Sequence, residues 1–125
     1  MRMWLVYPRM LCRHHLLGEH VECHMILGAV RKNKNLQGFF DNGLIQLDML
    51  ERRHDDLAWE MKNRGYRHSS PLDLSGDYFI GGYVDRQKSL RDLAERCSEC
   101  RKRMNRVSQR TSLRQELQTV IQDHI

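Results

Sequence analysis

The stretch HLLGEHVECHMILGAVRKN, His15 to Asn33, decides the fold. It belongs to a segment, residues 9–32, in which only Gly18 and Gly28 interrupt residues that are compatible with a helix. A polar, glycine-containing run, NKNLQGFFDNG, follows the segment and is typical of a connection. The sequence therefore predicts a first helix over about residues 9–32.

Apolar residues at helical spacing predict the other helices. Over residues 44–64, apolar residues recur at steps of three, four and seven, namely Leu44, Leu47, Leu50, Leu57 and Met61. Gly65 then supplies a stop signal. The same periodicity favours a third helix over residues 85–104 and a shorter one over residues 113–123. Serine, proline and glycine make residues 66–82 a predicted long, ordered loop. Since no segment alternates with a period of two, the predicted fold is all-α.

The length of the chain, 125 residues, fits a single compact domain with three main helices and a shorter C-terminal helix. We expect residues 1–104 to form the helical domain and residues 105–125 to form the C-terminal amphipathic helix. That last helix either packs on the domain or forms a homodimer contact with a second copy. The sequence leaves both arrangements open.

The charge balance favours a polyanionic partner. Lysine and arginine outnumber aspartate and glutamate by 21 to 16, which gives a net charge of +5 and a pI near 9.3. No apolar run approaches the roughly 18 residues that a membrane span needs, so we expect no membrane partner. The four cysteines are too few and too irregularly spaced for a secreted disulfide scaffold. We therefore expect free thiols in a cytoplasmic, nucleoid-associated protein.

The first helix carries a carboxylate on its apolar side. When residues are placed at 100° per step from Leu11, Met25, Ala29 and Glu22 fall within about 40° of that residue. Glu22 is therefore predicted to point inward. An ionised carboxylate among apolar neighbours is costly unless a cation or hydrogen-bond donors meet it. A buried structural ion pair and a functional carboxylate that lines a cleft both satisfy this requirement, and the spacing does not choose between them.

Two other groups of potential metal ligands carry a weaker signal. His20 and His24 fall with Arg13 on the opposite side of the predicted helix, where the positive charge opposes a cation. Cys97 and Cys100 form a CxxC motif, but on a continuous helix both thiols lie on the apolar stripe, and no second CxxC completes a zinc site. We therefore expect the cysteines to pack in the core, and we expect no metal and no other cofactor.

Several motifs in order resemble the pyrimidine-dimer DNA glycosylases with AP lyase activity, of the phage endonuclease V type. These motifs are the first helix quoted above, then LERRHDDLAWEMKNRGY in the second helix, then SPLD and GDY. The start MRMW and the run LCRHHLLGEH are similar to the shorter bacterial and phage members. The resemblance spans about residues 1–96. It implies a DNA repair enzyme of bacterial or viral origin that binds damaged double-stranded DNA.

The resemblance also implies a mechanism, with the α-amino group of Met1 as nucleophile and Glu22 as the carboxylate that moves protons. An α-amino group ordinarily has a pKa of about 7.7 to 8.0, against about 10.4 for lysine, so a useful neutral fraction exists at pH 7. The amine attacks C1′ of the damaged nucleotide, the base leaves, and the resulting imine makes the C2′ proton acidic enough for β-elimination.

Five further residues match DNA-binding positions of that family. By the resemblance, Arg2, His15 and Arg91 bind the phosphate or sugar near the reacting centre, and Arg31 and Lys32 contact phosphates nonspecifically. Ordinary structural roles stay open for each of them. Either arginine can neutralise Glu22, His15 can satisfy a core hydrogen bond, and charges at a helix end are often only solvated.

The chain departs from the family pattern at three basic positions, which are occupied by Val21, Met25 and Glu95. Dimer recognition, which requires bending of the DNA and flipping of a base, is therefore less firmly implied than chemistry at an exposed sugar. The substrate is a pyrimidine dimer, another lesion or an abasic site. The alternative hypothesis is a noncatalytic nucleic-acid- or protein-binding module that kept the fold and lost lesion recognition.

Overall fold

The computed structural model describes residues 1–68, 70–72 and 80–108. These residues form five α-helices and two short 3-10 turns, Pro8–Met10 and Leu47–Met49, and no strand occurs among them. The all-α prediction is confirmed. No helix in this part of the chain is both long and apolar enough to cross a membrane. The helices are α1 (Arg13–Arg31), α2 (Gln37–Asp41), α3 (Leu50–Asn63), α4 (Arg86–Arg96) and α5, residues 98–108.

Helix α1 begins four residues later than predicted. Pro8 opens a 3-10 turn, and Leu11 then adopts an extended conformation, so the chain enters the helix only after Cys12. The side chain of Cys12 caps the helix by accepting a hydrogen bond from the backbone N–H of His15. At the other end, Asn33 takes a left-handed conformation with φ 53°, which stops the helix.

Helices α1 and α3 pack against each other and form the centre of the molecule. The predicted second helix starts at Leu50 rather than at residue 44, because residues 44–46 lie outside any helix and a 3-10 turn follows them. The short helix α2 occupies the segment that was predicted to be a connection. The fully buried side chains of the two long helices are apolar in the main: Leu16, Cys23 and Ile26 on α1, with Leu50 and Leu57 on α3.

An N-terminal arm, residues 1–7, runs through the core without regular secondary structure, and Leu5 takes a left-handed conformation with φ 54°. Met3 through Val6 are buried, and the backbone N–H of Met3 donates to the carbonyl of Leu44 at 2.7 Å. Arg53 of α3 donates to the carbonyl of Val6. Because buried backbone groups are satisfied by specific partners, the arm has a fixed position, and Met1 at its end packs against the core.

The third predicted helix, residues 85–104, is divided at Cys97. Asp85 caps α4 by accepting from the backbone N–H groups of Gln87 and Lys88. Cys97 then leaves helical geometry with φ −132° and ψ 107°, and α5 begins at the next residue. The described parts of the predicted loop, residues 66–82, carry no helix, and the predicted helix over residues 113–123 lies outside the described residues.

Candidate active site

Glu22 lies at the edge of the buried face of α1, where its side chain is half-buried. Its carboxylate accepts a hydrogen bond from the backbone N–H of Arg2, and the positive charge of the N-terminus at Met1 acts on it. Burial raises the pKa of Glu22, and the nearby carboxylate of Glu19 adds to that rise, although the N-terminus and Arg2 oppose it. The structure thus places the backbone of Arg2 against Glu22 and the N-terminal charge within electrostatic range of that carboxylate.

The side chain of Arg2 is held between two partners. Its Nη2 atom lies 2.8 Å from Oδ2 of Asp92 on α4, and its guanidinium carbon lies 3.8 Å from the centre of the Trp4 ring. Both partners fix the guanidinium, by an ion pair and by a cation–π contact respectively. Arg2 is therefore engaged within the protein on both sides, while its backbone N–H serves Glu22.

The other predicted DNA-binding residues do not all meet at Glu22. The ring of His15 contacts Trp4 edge to face at 5.8 Å, but its Nδ1 atom lies 3.2 Å from Sγ of Cys12. Arg91 is exposed on α4, and its neighbour Asp92 makes the contact with Arg2.

Arg31 and Lys32 are exposed at the C-terminal end of α1, nine and ten residues beyond Glu22. A rise of 1.5 Å per residue separates Arg31 from that carboxylate by about 13 Å along the helix axis. These two side chains can therefore reach a DNA backbone only at a distance from the reacting nucleotide.

Among the residues that the structure describes, the fully buried carboxylate is Glu19, one turn before Glu22. Glu19 is 1% exposed and pairs with Arg53 of α3, whose Nη2 atom lies 2.9 Å from Oε1 of Glu19 and whose Nε atom donates to the other oxygen. The sequence reasoning missed this pair. Arg53 falls on the apolar stripe of α3 between Leu50 and Leu57, and an arginine in such a position requires an acidic partner.

His20 and His24 do not form an outer face, and that prediction was wrong. His20 is 7% exposed and its ring lies 4.8 Å from those of His54 and His68, while His24 lies 5.1 Å from His20. Burial, together with the neighbouring histidines, lowers the pKa of His20 to about 4. The prediction used the direction of Leu11 as the inner side of the helix. Because Leu11 lies outside α1, that direction differs from the direction of the buried face.

The imidazoles of His20, His54 and His68 have the composition of a metal site, with ring nitrogens within 4.8 Å of one another. Both nitrogens of His54 already have partners, however. Its Nδ1 lies 3.0 Å from Oδ1 of Asp55 and its Nε2 lies 3.0 Å from the carbonyl of Ser70. The Nε2 atoms of His20 and His68 lie 2.9 Å apart. We interpret the group as histidines whose ring nitrogens form hydrogen bonds within the protein, His54 with Asp55 and Ser70, and His20 with His68.

The surface around Glu22 is apolar where basic side chains were expected. Val21 is 54% exposed and Met25 is 53% exposed. The placement of Met25 also corrects the prediction that it lies on the inner face. A groove of about 410 Å³ with basic lining residues, including Arg52 and Arg86, lies elsewhere, and neither Met1 nor Glu22 lines it.

Comparison with known proteins gives one positive result. The family model described as pyrimidine dimer DNA glycosylase matches residues 1–74. A search of curated proteins and a search of solved structures each found no match. The matched residues make up more than half of the 125-residue chain and include the N-terminal arm, α1 and α3. The chain therefore belongs to the pyrimidine dimer DNA glycosylase family, a family of DNA repair enzymes whose partner is damaged DNA.

Proposed function

We propose that this protein is a DNA glycosylase with AP lyase activity that works through an imine at the α-amino group of Met1, with Glu22 as general acid and base. The observation that carries the proposal is the contact of Glu22 with the N-terminal segment. The carboxylate accepts the Arg2 N–H and lies within the field of the N-terminal charge. A nucleophile and a proton acceptor in the same site are what the chemistry requires.

The reaction proceeds in two stages. The neutral amine attacks C1′ of the damaged nucleotide, and the bond between C1′ and the base breaks as the base takes a proton. The sugar ring opens to give an imine between C1′ and the α-nitrogen. Glu22 then removes a proton from C2′, the electrons form a C2′–C3′ double bond, and the 3′-phosphate leaves. Water hydrolyses the imine and returns the amine.

The environment of Glu22 suits such a role. The half-buried position leaves the carboxylate accessible to a sugar, and burial moves its pKa upward toward the range in which a carboxyl group can both give and accept a proton. The fixed N-terminal arm supports the second requirement, a nucleophile held in place, because Met3 and Val6 are tied to the rest of the protein by hydrogen bonds.

Binding of double-stranded damaged DNA rests on charge and exposure. The net charge of +5 favours a polyanion, and Arg31, Lys32 and Arg91 present exposed cations. We assign these three to phosphate contacts. Arg2 and His15 have partners inside the protein, so we assign them to positioning of the N-terminal site rather than to direct contact with DNA.

The exposed apolar surface beside Glu22 favours one alternative. Val21 and Met25 offer no hydrogen bond to a phosphate, so the alternative function is a noncatalytic nucleic-acid- or protein-binding module on the same fold. The two functions differ in whether a covalent intermediate forms. The enzyme forms an imine with DNA, whereas the binding module does not.

Borohydride trapping tests the proposal. Protein that begins at Met1 is incubated with two duplexes, one with an abasic site and one with a thymine dimer, and the imine is reduced. We expect a covalent adduct between protein and DNA. Peptide mass spectrometry should locate the attached DNA at the α-nitrogen of Met1. The matched control is the same protein with an acetylated N-terminus, which should give no adduct. Absence of an adduct with both duplexes, or an adduct at a lysine side chain, contradicts the mechanism.

A further inference from the structure

Three cysteines and one histidine from distant parts of the chain meet at one point. Cys12 and His15 stand at the start of α1, and Cys97 and Cys100 stand at the break between α4 and α5. Their sulfur and nitrogen atoms all lie within 4.8 Å of one another. The two pairs have the same spacing, CxxH and CxxC, which places two ligand atoms on one side of a tight turn.

The distances agree with a tetrahedral metal site. Zinc bonds of about 2.3 Å to sulfur and about 2.0 to 2.1 Å to nitrogen imply ligand separations of about 3.8 Å for two sulfurs and about 3.5 Å for sulfur and nitrogen. Sγ of Cys12 lies 3.8 Å from Sγ of Cys97, and Sγ of Cys100 lies 3.5 Å from Nδ1 of His15. Nδ1 of His15 lies 3.2 Å from Sγ of Cys12.

The backbone around the cluster is arranged for thiolates. The N–H of His15 points to Sγ of Cys12 at 3.4 Å, and the N–H of Cys100 points to Sγ of Cys97 at 3.5 Å. The N–H of Cys12 points to Sγ of Cys100 at 3.2 Å. Each of the three sulfurs therefore has a backbone donor. Hydrogen bonds to the ligand atoms of a metal site orient them and stabilise their charge.

We propose that Cys12, His15, Cys97 and Cys100 bind one zinc ion in a structural site. Three thiolates and an imidazole in a tetrahedral arrangement select zinc among the common divalent metals. Four protein ligands leave no position for water or substrate, which is typical of a structural site rather than a catalytic one. Cys12 is 9% exposed and Cys100 is fully buried, so solvent has little access to the ion.

The ion would join segments that are otherwise far apart in sequence. Cys12 and Cys97 are separated by 85 positions, and the second pair lies beyond residues 1–74, the part that the family model matches. The ring of His15 also touches Trp4, on which Arg2 stacks. The zinc site therefore fixes the wall behind the N-terminal site and attaches α4 and α5 to it.

The zinc content of the purified full-length chain tests the assignment. We expect about one zinc per chain. The Cys97→Ser variant lacks one ligand and should lose most of the zinc. Cys97 is chosen because it is half-buried, so its replacement should disturb packing least. The matched control is Cys23→Ala, which removes a fully buried thiol of α1 outside the cluster and should keep the full zinc content. Equal zinc in Cys97→Ser and wild type would overturn the assignment.

Cobalt titration of the reduced, metal-free wild-type chain tests the site without a substitution. The result therefore does not depend on whether a variant folds. We expect the visible bands of tetrahedral cobalt and near-ultraviolet absorption from three thiolate-to-cobalt transitions. His15→Cys should retain zinc with a fourth thiolate, whereas His15→Ala should bind it more weakly by a factor of about 10 or more. Failure of the reduced wild type to bind either metal overturns the proposal, as does a disulfide between Cys12 and Cys97 in freshly purified protein.

Discussion

Glu19 and Glu22 stand three residues apart on α1, yet the protein treats the two carboxylates differently. Glu19 is 1% exposed and is neutralised by Arg53, whose Nε and Nη2 atoms donate to its two oxygens. Glu22 is half-buried and meets the N-terminal segment through a single backbone N–H and a nearby positive charge. Both carboxylates require a compensating charge or hydrogen bond, but only the position of Glu22 leaves room for a substrate.

The difference lies in where each residue falls on the helix. The buried residues of α1 centre about 30° from Glu19 in projection and about 90° from Glu22, because a turn of 100° per residue places the two carboxylates about 60° apart. Glu19 is therefore directed toward α3, whereas Glu22 is directed to the margin of the interface, beside the end of the arm. A fully satisfied ion pair serves structure, and an accessible, partly desolvated carboxylate serves chemistry.

The largest effect is expected from Glu22→Gln. Loss of a positioned acid–base group lowers a reaction rate by about 10² to 10⁴, while the similar shape and the exposed edge of Glu22 should keep the free energy of unfolding within about 1 kcal/mol of wild type. Single-turnover cleavage of abasic-site DNA measures the first quantity, and urea unfolding measures the second. A cleavage rate within threefold of wild type would assign proton transfer to another group.

Glu19→Gln should show the opposite pattern. Removal of one partner from a buried ion pair leaves Arg53 uncompensated and costs about 3 to 5 kcal/mol of the free energy of unfolding. Folded protein should still cleave, since both carboxylate oxygens of Glu19 are bound by Arg53 of α3. The double variant Glu19→Leu with Arg53→Met removes both charges and should recover most of the stability. If the double variant is less stable than Glu19→Gln, the pair stabilises the fold beyond charge compensation.

The third prediction concerns pH. The pKa of His20 in the folded protein is about 4, below the ordinary value of 6.5, because of burial and neighbouring histidines. As the pH falls from 6.5 toward 4, the unfolded chain takes up a proton that the folded chain does not, so stability decreases over that interval. We expect a loss of about 2 kcal/mol, since solvent at the exposed edge of the cluster screens part of the effect.

Urea unfolding at a series of pH values measures this loss, and His20→Gln should reduce the slope between pH 6.5 and 4. Lys34→Gln, a substitution of an exposed residue outside the cluster, is the control and should leave the slope as in wild type. The difference between the two variants isolates the contribution of His20. Equal slopes for His20→Gln and Lys34→Gln would contradict the assignment.

The predictable parts of the fold were those in which local pattern and packing agree. The leucines of α3 are buried at the spacing that predicted a helix there, and Gly65 follows its end with φ 82°. On α1 the same method failed to find the buried face. The projection assumed that Leu11 belongs to the helix, but Cys12 caps α1, and the extended backbone before the cap breaks the angular relation.

The Cys/His cluster was missed for a different reason. Each half, CxxH at Cys12 and CxxC at Cys97, is weak alone, and only the fold brings the two within ligand distance. A search for CxxH as well as CxxC would have found both halves, but not their contact. The assumption of a continuous helix over residues 85–104 also concealed the break at Cys97 that turns both thiols toward α1. Contact between distant segments is set by tertiary packing, which one sequence does not reveal.

The smallest effect is expected from Asp92→Asn, which tests a third carboxylate beside the same site. Asp92 pairs with the side chain of Arg2, whereas Glu22 binds the backbone N–H of Arg2, so loss of the pair should leave the hydrogen bond of Glu22 intact. Because the pair is partly exposed, its loss should cost about 0.2 to 1 kcal/mol of the free energy of unfolding. We expect cleavage of abasic-site DNA to fall less than tenfold, which single-turnover kinetics measures.

The neighbouring substitution Arg91→Gln separates positioning from DNA contact. Arg91 is exposed, and by our assignment it contacts a phosphate, so its loss should weaken DNA binding and reduce the slope of log K against log salt by about 1. Asp92→Asn should leave that slope unchanged, because Asp92 acts on Arg2 within the protein. If instead Asp92→Asn raises the slope, its loss has released Arg2 to bind a phosphate, and Arg2 belongs with the DNA contacts rather than with the residues that position Met1.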